Sequence, residues 1–211
     1  MRRAVPDVEV EEQSVGDGSL SRRALLGAGA LGAAVTVPVV GRLLRLGDAL
    51  GGMPSKAQDA KILQLVLQLE YTQVAFYEEA LAQAKLSGDV RQFAQTALGH
   101  ERQHLAAIKR ALGSKAGAKP RFVFGDKTKN AGAFTRAAIQ LEDIAVAAYN
   151  GQAANLTKGT LAAAAEIVSV EARHAAWVRA IAGEVAAPEP VDSPITAQRV
   201  AATLRAFGMK P

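Results

Sequence analysis

Four stretches of this chain carry apolar residues at helical spacing, and each has an acidic residue near the middle of its apolar stripe. From about Asp59 to Leu86 the residues Leu63, Val66, Val74 and Leu81 fall on one stripe, together with Glu70 and Tyr77. A second segment runs to about Leu112, with Val90, Ala94, Ala97, Glu101, His104 and Ile108 on its inner face. Ser87-Gly88-Asp89 separates it from the first, and Asp89 is placed to cap it. A third spans roughly Ala131 to Ala154, with Ala138, Glu142, Val146 and Tyr149 in line. The fourth follows Asn155 to Gly159 and carries Leu161, Ala164, Val168, Glu171, His174, Val178 and Ile181 to about Gly183.

The connections restrict how these helices pack. The breaks near residues 88 and 157 are short, so the first and second helices, and the third and fourth, form antiparallel hairpins. Between the hairpins lie residues 113–129, which fully extended reach about 56 Å at about 3.3 Å each. A 24-residue helix is about 36 Å long, so this linker can cross the whole bundle and set the second and third helices parallel. The predicted fold is all-α: a four-helix bundle over residues 55–184, followed by a tail, 185–211. Within the tail, VDSPITAQRVAATLRAF reads as a turn and a short helix opening near Thr196.

The same spacing places Glu70, Glu101, Glu142 and Glu171 at one level of the predicted core. Four ionised carboxylates in one apolar layer would be ruinous, since each unpaired buried charge costs several kcal/mol and like charges raise one another's pKa. Two divalent cations would cancel the four charges. Two histidines complete the set: Glu101-Arg102-Gln103-His104 and Glu171-Ala172-Arg173-His174 share a spacing that aims both side chains inward from one helical turn. The motifs belong to an internal repeat. LQLEYTQVAFY and IQLEDIAVAAY align Glu70 with Glu142 and Tyr77 with Tyr149, 72 residues apart, and the two Glu-x-x-His motifs are 70 apart. Such duplication predicts a pseudo-two-fold bundle with one metal per half and bridging carboxylates between them.

Composition narrows the chemistry. With no cysteine, disulfides, thiolate sites and iron-sulfur clusters are excluded, so any metal must be held by His, Asp or Glu. The formal net charge of +5 lies entirely beyond residue 50, and seven Lys or Arg between Lys109 and Lys129 accompany only Asp126. That basic stretch reads as a solvated loop rather than a nucleic-acid patch. Residues 1–54 read as a targeting segment and linker. Ser21, Arg22 and Arg23 precede 17 uncharged residues, Ala24 to Val40, which resembles a twin-arginine export signal, with Leu25 where the pattern prefers Phe and Gly27 where it often has Lys. The resemblance implies the twin-arginine export machinery as a partner and a periplasmic or cell-envelope location; left uncleaved, the segment would serve as a membrane anchor.

GHERQH contains His100-Glu101-x-x-His104, the pattern of many zinc proteases, in which both histidines bind the metal and the glutamate is the base. That reading leaves Glu70, Glu171 and His174 unexplained in a core. In the repeat, Val170 takes the position of His100, which therefore reads as a core residue or one that supports a ligand from behind.

Taken as a set, Glu, Glu-x-x-His, Glu, Glu-x-x-His on four helices with a long central crossover resembles the ferritin-like superfamily of dinuclear carboxylate proteins. It is closest in layout to exported bacterial ferritin-like domain proteins, a family similar to plant desiccation-related proteins. The resemblance covers about residues 57–184, and the tail also resembles that family's ending. It implies Glu70, Glu101, His104, Glu142, Glu171 and His174 as ligands of two iron or manganese ions, with Tyr77 and Tyr149 placed to hydrogen-bond the site. A haem like that of bacterioferritin would need a methionine near the second-helix glutamate, but Arg102 follows Glu101 and the methionines are Met1, Met53 and Met209. The implied activity is redox chemistry with O2 or H2O2, either oxidation of Fe(II) or catalase-like disproportionation. Beside it stands a non-enzymatic stress protein of the cell envelope with a structural metal site, and third the zinc protease. The sequence leaves a homo-oligomer open.

Overall fold

The structure, a computed structural model, describes residues 53–210; the twin-arginine segment falls outside them. Four long helices form the bundle: α1 (Lys56–Gln83), α2 (Gly88–Leu112), α3 (Ala131–Gln152) and α4 (Lys158–Ile181). A shorter α5 (Ala197–Phe207) follows and packs on α1 and α3. The chain belongs to the all-α class that the periodicity predicts. Among the described residues no helix is long and apolar enough to cross a membrane.

Helix boundaries follow local capping more than the apolar stripe. The Ser55 side chain accepts a hydrogen bond from the Gln58 backbone N–H at 3.1 Å, so α1 starts at Lys56 rather than Asp59, and it ends at Gln83 rather than near Leu86. Asp89 is not the cap of α2. That position is Ser87, and Asp89 lies in the first turn, where its charge favours the positive end of the helix dipole. Asn130 caps α3 and Thr196 caps α5, through side-chain oxygens 2.9 and 3.2 Å from the N–H groups of Ala133 and Arg199.

Helix directions follow from contacts along their length. Tyr77 near the end of α1 meets Glu142 of α3, and Tyr149 near the end of α3 meets Glu70 of α1, so these two helices are antiparallel. Since α2 also opposes α1 through its hairpin, α2 and α3 run parallel. The crossover between them begins beside Gln64, whose Oε1 accepts from the Gly117 N–H at 3.1 Å. It ends where Gln83 Nε2 donates to Thr128 Oγ1 at 2.8 Å, so it travels most of the length of α1. On its way Arg121–Phe122 (β1) pairs antiparallel with Met209–Lys210 (β2), a two-residue ladder that no alternation in the sequence announces.

The two ends of the bundle are built differently. Toward the α1–α2 turn, Phe76 packs against Phe124, Phe134 and Phe207 with ring centroids 5.3 to 5.5 Å apart, so crossover, α3 and α5 meet on one aromatic plug. At the opposite end the predicted inner stripe of α4 is not buried. Leu161 is 38% exposed, Ala164 and Val168 are half-buried, and burial begins only at Glu171. The first half of α4 stands off from α2, leaving a cavity between them.

Candidate metal centre

Each of the four long helices delivers one glutamate to the middle of the bundle, and all four are fully buried, at 0% exposure. α2 and α4 each add a histidine one turn later, His104 and His174, both buried. Donor atoms from the six residues fall into two groups, each within 4.8 Å throughout: Glu70, Glu101, His104 and Glu171, and Glu101, Glu142, Glu171 and His174. Glu101 and Glu171 belong to both. Every hairpin thus supplies one unshared glutamate, one histidine and one shared glutamate. His100 belongs to neither group.

Distances between donors test whether an ion fits. Two ligands each about 2.1 Å from one cation stand about 3.0 Å apart at a right angle and about 3.4 Å apart at the tetrahedral angle. His104 Nδ1 is 3.0 Å from Glu171 Oε1, 3.1 Å from Glu101 Oε2 and 3.7 Å from Glu70 Oε2. In the second group His174 Nδ1 is 3.1 Å from Glu101 Oε1 and 3.4 Å from Glu142 Oε2. Glu70 Oε2, Glu101 Oε1, Glu171 Oε1 and His174 Nδ1 make no hydrogen bond although buried. His174 Nδ1 and Glu101 Oε1 are therefore close without one donating to the other, the arrangement of donors around a common centre. The donor set suits a divalent cation in each group.

The charges of the protein alone are strained to match. Burial, then repulsion from Glu101 and Glu171, pushes the Glu70 carboxyl well above the usual range; burial and Glu101 do the same to Glu171. Burial would also raise Glu101, but the hydrogen bond from His104 and the positive charges of His104 and His174 outweigh it and bring it down to about 2. Burial opposes charge on the two histidines, yet the carboxylates around them win, lifting His104 to about 11 and His174 to about 10. Without a cation, protons on His104 and His174 do the neutralising.

Other residues hold the donors in place. Tyr149 donates to Glu70 Oε1 at 2.5 Å, and Tyr77 donates to Glu142 Oε1, so each tyrosine of the repeat supports the glutamate of the opposite hairpin. Burial pushes both phenols well above their ordinary pKa, so they stay protonated donors. Gln73, which the motif reading misses, donates from Nε2 to Glu171 Oε2 at 3.0 Å and lies 3.5 Å from Glu142 Oε2. Its place one turn after Glu70 on the buried stripe was the available signal. His100 Nδ1 lies 2.9 Å from His174 Nε2 with the rings stacked at 8°. It reaches the centre only through His174, so it does not share an ion with His104 as a protease would require. An opening of about 460 Å³, lined by His100, Gln103, His104, Val170, Arg173, His174 and Trp177, leads to this side of the cluster.

Comparison with known proteins agrees with the geometry. Residues 58–184 match the family model described as a ferritin-like domain. No curated protein matches the chain.

Proposed function

We propose, given that the chain belongs to the ferritin-like domain family, that it is a dinuclear iron or manganese oxidoreductase acting on O2 or H2O2. The observation that carries the reading is the pair of overlapping donor groups that share Glu101 and Glu171. Glu70 and His104 would hold one ion, Glu142 and His174 the other, and the shared glutamates would bridge them. Such a pair, when bound, supplies two electrons to an oxygen–oxygen bond.

This chain's own residues set the conditions for that chemistry. The fully buried glutamates are held away from bulk water and would neutralise the ions. Tyr77, Tyr149 and Gln73 fix the carboxylate orientations by hydrogen bonds from outside. The opening beside His100 and Trp177 admits a molecule of peroxide size. Export by the twin-arginine route, proposed from Arg22, Arg23 and the apolar run after them, would suit a domain that folds around its metal before leaving the cytoplasm.

Elemental analysis of the purified protein should find about two iron or manganese ions per chain, and Glu101→Ala should lose both ions and all turnover with Fe(II) or peroxide. A wild-type protein that holds two ions but turns over neither substrate would replace the redox reading with the structural one, in which the same cluster neutralises the core of a stress-related envelope protein. Zinc as the sole metal, one per chain, would sink both.

A further inference from the structure

The two donor groups are not supported alike, although the repeat that builds them is nearly symmetric. The tyrosines are matched, since Tyr77 donates to Glu142 and Tyr149 donates to Glu70. Two other supports have no counterpart. Gln73 aligns with Ala145, which has no side-chain donor, and His100 aligns with Val170.

Both unmatched side chains act on the same group. Gln73, fully buried, donates from Nε2 to Glu171 Oε2 at 3.0 Å and, more weakly, to Glu142 Oε2 at 3.5 Å. Its Oε1 has no partner, so the N–H groups are what hold the amide here, with carboxylate oxygens as their acceptors. With Tyr77 on Oε1 and Gln73 on Oε2, Glu142 is held at both oxygens. Glu171 is shared between the groups, but the oxygen Gln73 holds is Oε2, whereas the one 3.0 Å from His104 Nδ1 is Oε1. His100 Nδ1, 2.9 Å from His174 Nε2, fixes the ring whose Nδ1 faces the cluster. On the other side Glu70 is held at Oε1 alone, and its Oε2 makes no hydrogen bond. In the place of His100, His104 has Val170, whose side chain can accept nothing. The terminal donors also stand wider apart: Glu70 Oε2 is 3.7 Å from His104 Nδ1, against 3.4 Å from Glu142 Oε2 to His174 Nδ1. A ligand already held in its bound orientation loses less freedom when an ion arrives, and such outer hydrogen bonds are each worth roughly 10- to 100-fold in affinity.

We propose that the centre fills in a fixed order: the position of Glu142 and His174 takes the first ion, and the position of Glu70 and His104 takes the second, more weakly. Gln73 and His100 set the order as positioning residues that touch no ion. The inference rests on the two-ion reading above and is independent of the redox chemistry proposed for it.

The test is titration of Mn(II) into the full metal-free chain, followed by calorimetry and electron paramagnetic resonance. One equivalent should give the signal of an isolated bound ion, and the signal of a coupled pair should appear only with the second. Glu70→Gln should remove the weaker step and leave the tighter one at wild-type affinity; Glu142→Gln should remove the tighter step. Gln73→Met keeps the bulk and has no N–H to donate, so it should weaken the tighter step roughly 10- to 100-fold and spare the other, while the metal-free protein melts near wild type. A packing role alone would shift the melting temperature and leave the ratio of the two affinities unchanged. The proposal is overturned if the coupled signal appears at one equivalent in the wild type, if Glu70→Gln rather than Glu142→Gln removes the tighter step, or if Gln73→Met weakens both steps equally. Two ions bound in this order without turnover of Fe(II) or peroxide would sink the redox reading and leave the order standing. Turnover by a centre whose two ions enter together would do the reverse, and fewer than two ions per chain would sink both.

Discussion

At the scale of single residues, the cluster is a proton store that a cation must displace. His104 and His174 are raised from their ordinary value to about 11 and about 10, and Glu70 and Glu171 are raised as well. Each of these groups holds its proton more tightly when folded than when unfolded, so without metal they stabilise the fold at low pH and lose that contribution as pH rises through the folded values. The metal-free protein should therefore melt at progressively lower temperature from about pH 6 to pH 9, whereas the loaded protein should not, because metal affinity rises as protons leave. Glu101, lowered to about 2, contributes the opposite way: its stabilisation is present above its ordinary value of 4.5 and is lost as pH falls through about 2. His100 gives a second prediction. For His174 to face the cluster with an unprotonated Nδ1, its Nε2 must carry the proton and donate it to His100 Nδ1. In the repeat Val170 fills that place, so two ions bound as proposed would be held unequally. His100→Ala should weaken one of two binding events by roughly 10- to 100-fold and spare the other; equal weakening of both would show the histidine pair to be incidental. The convergence of six donors was legible because Glu-x-x-His is a helical spacing and occurs twice. Gln73 was not, because it is uncharged and its counterpart in the repeat is Ala145.

At the scale of elements, two ties hold the helices at the heights the cluster requires. The first joins hairpin to hairpin: Asp59 in the first turn of α1 accepts from the Thr157 N–H at 2.9 Å and from the Thr157 and Thr160 hydroxyls at 2.5 and 2.7 Å. Thr157 precedes α4 without capping it through its side chain, since its hydroxyl is committed to Asp59. Asp59→Ala removes three hydrogen bonds to a buried charge and should cost about 2–4 kcal/mol, read as a lower midpoint in urea. The second tie is close packing. A Cβ on Gly151 would sit 2.0 Å from the Ile195 carbonyl oxygen, where the tail crosses α3. Gly151→Ala should cost about 2–3 kcal/mol, and limited elastase digestion should then cut within residues 182–196; unchanged resistance would mean that the tail shifts without detaching. The four helices and their pairing were legible from the 3.6-residue period and the loop lengths. The strand pair was not, since two residues carry no period, and Leu161, Ala164 and Val168 misled because an apolar stripe marks the face a helix could bury, whether or not a neighbour comes close enough to bury it.

At the scale of the whole molecule, the bundle is closed at one end and open at the other. The rings around Phe76 join α1, the crossover, α3 and α5, and Gly208 at φ 150° lets the chain approach the Val123 carbonyl so that β2 can seal beside them. The direction of the crossover was predictable because reach sets a bound that only a bundle-length traverse uses fully. Which tyrosine would serve which glutamate was not predictable, since the two lie on the same stripe of one helix and only the packing of α1 on α3 exchanges them. The exchange and the sharing of Glu101 and Glu171 carry a consequence for how the protein is made. A ribosome that has released only the first hairpin has produced Glu70, Glu101 and His104, but Glu171 and the phenol that steadies Glu70 are still to be synthesised. Neither donor group is complete until the second half of α4 has emerged, so metal uptake would report that both hairpins are in place.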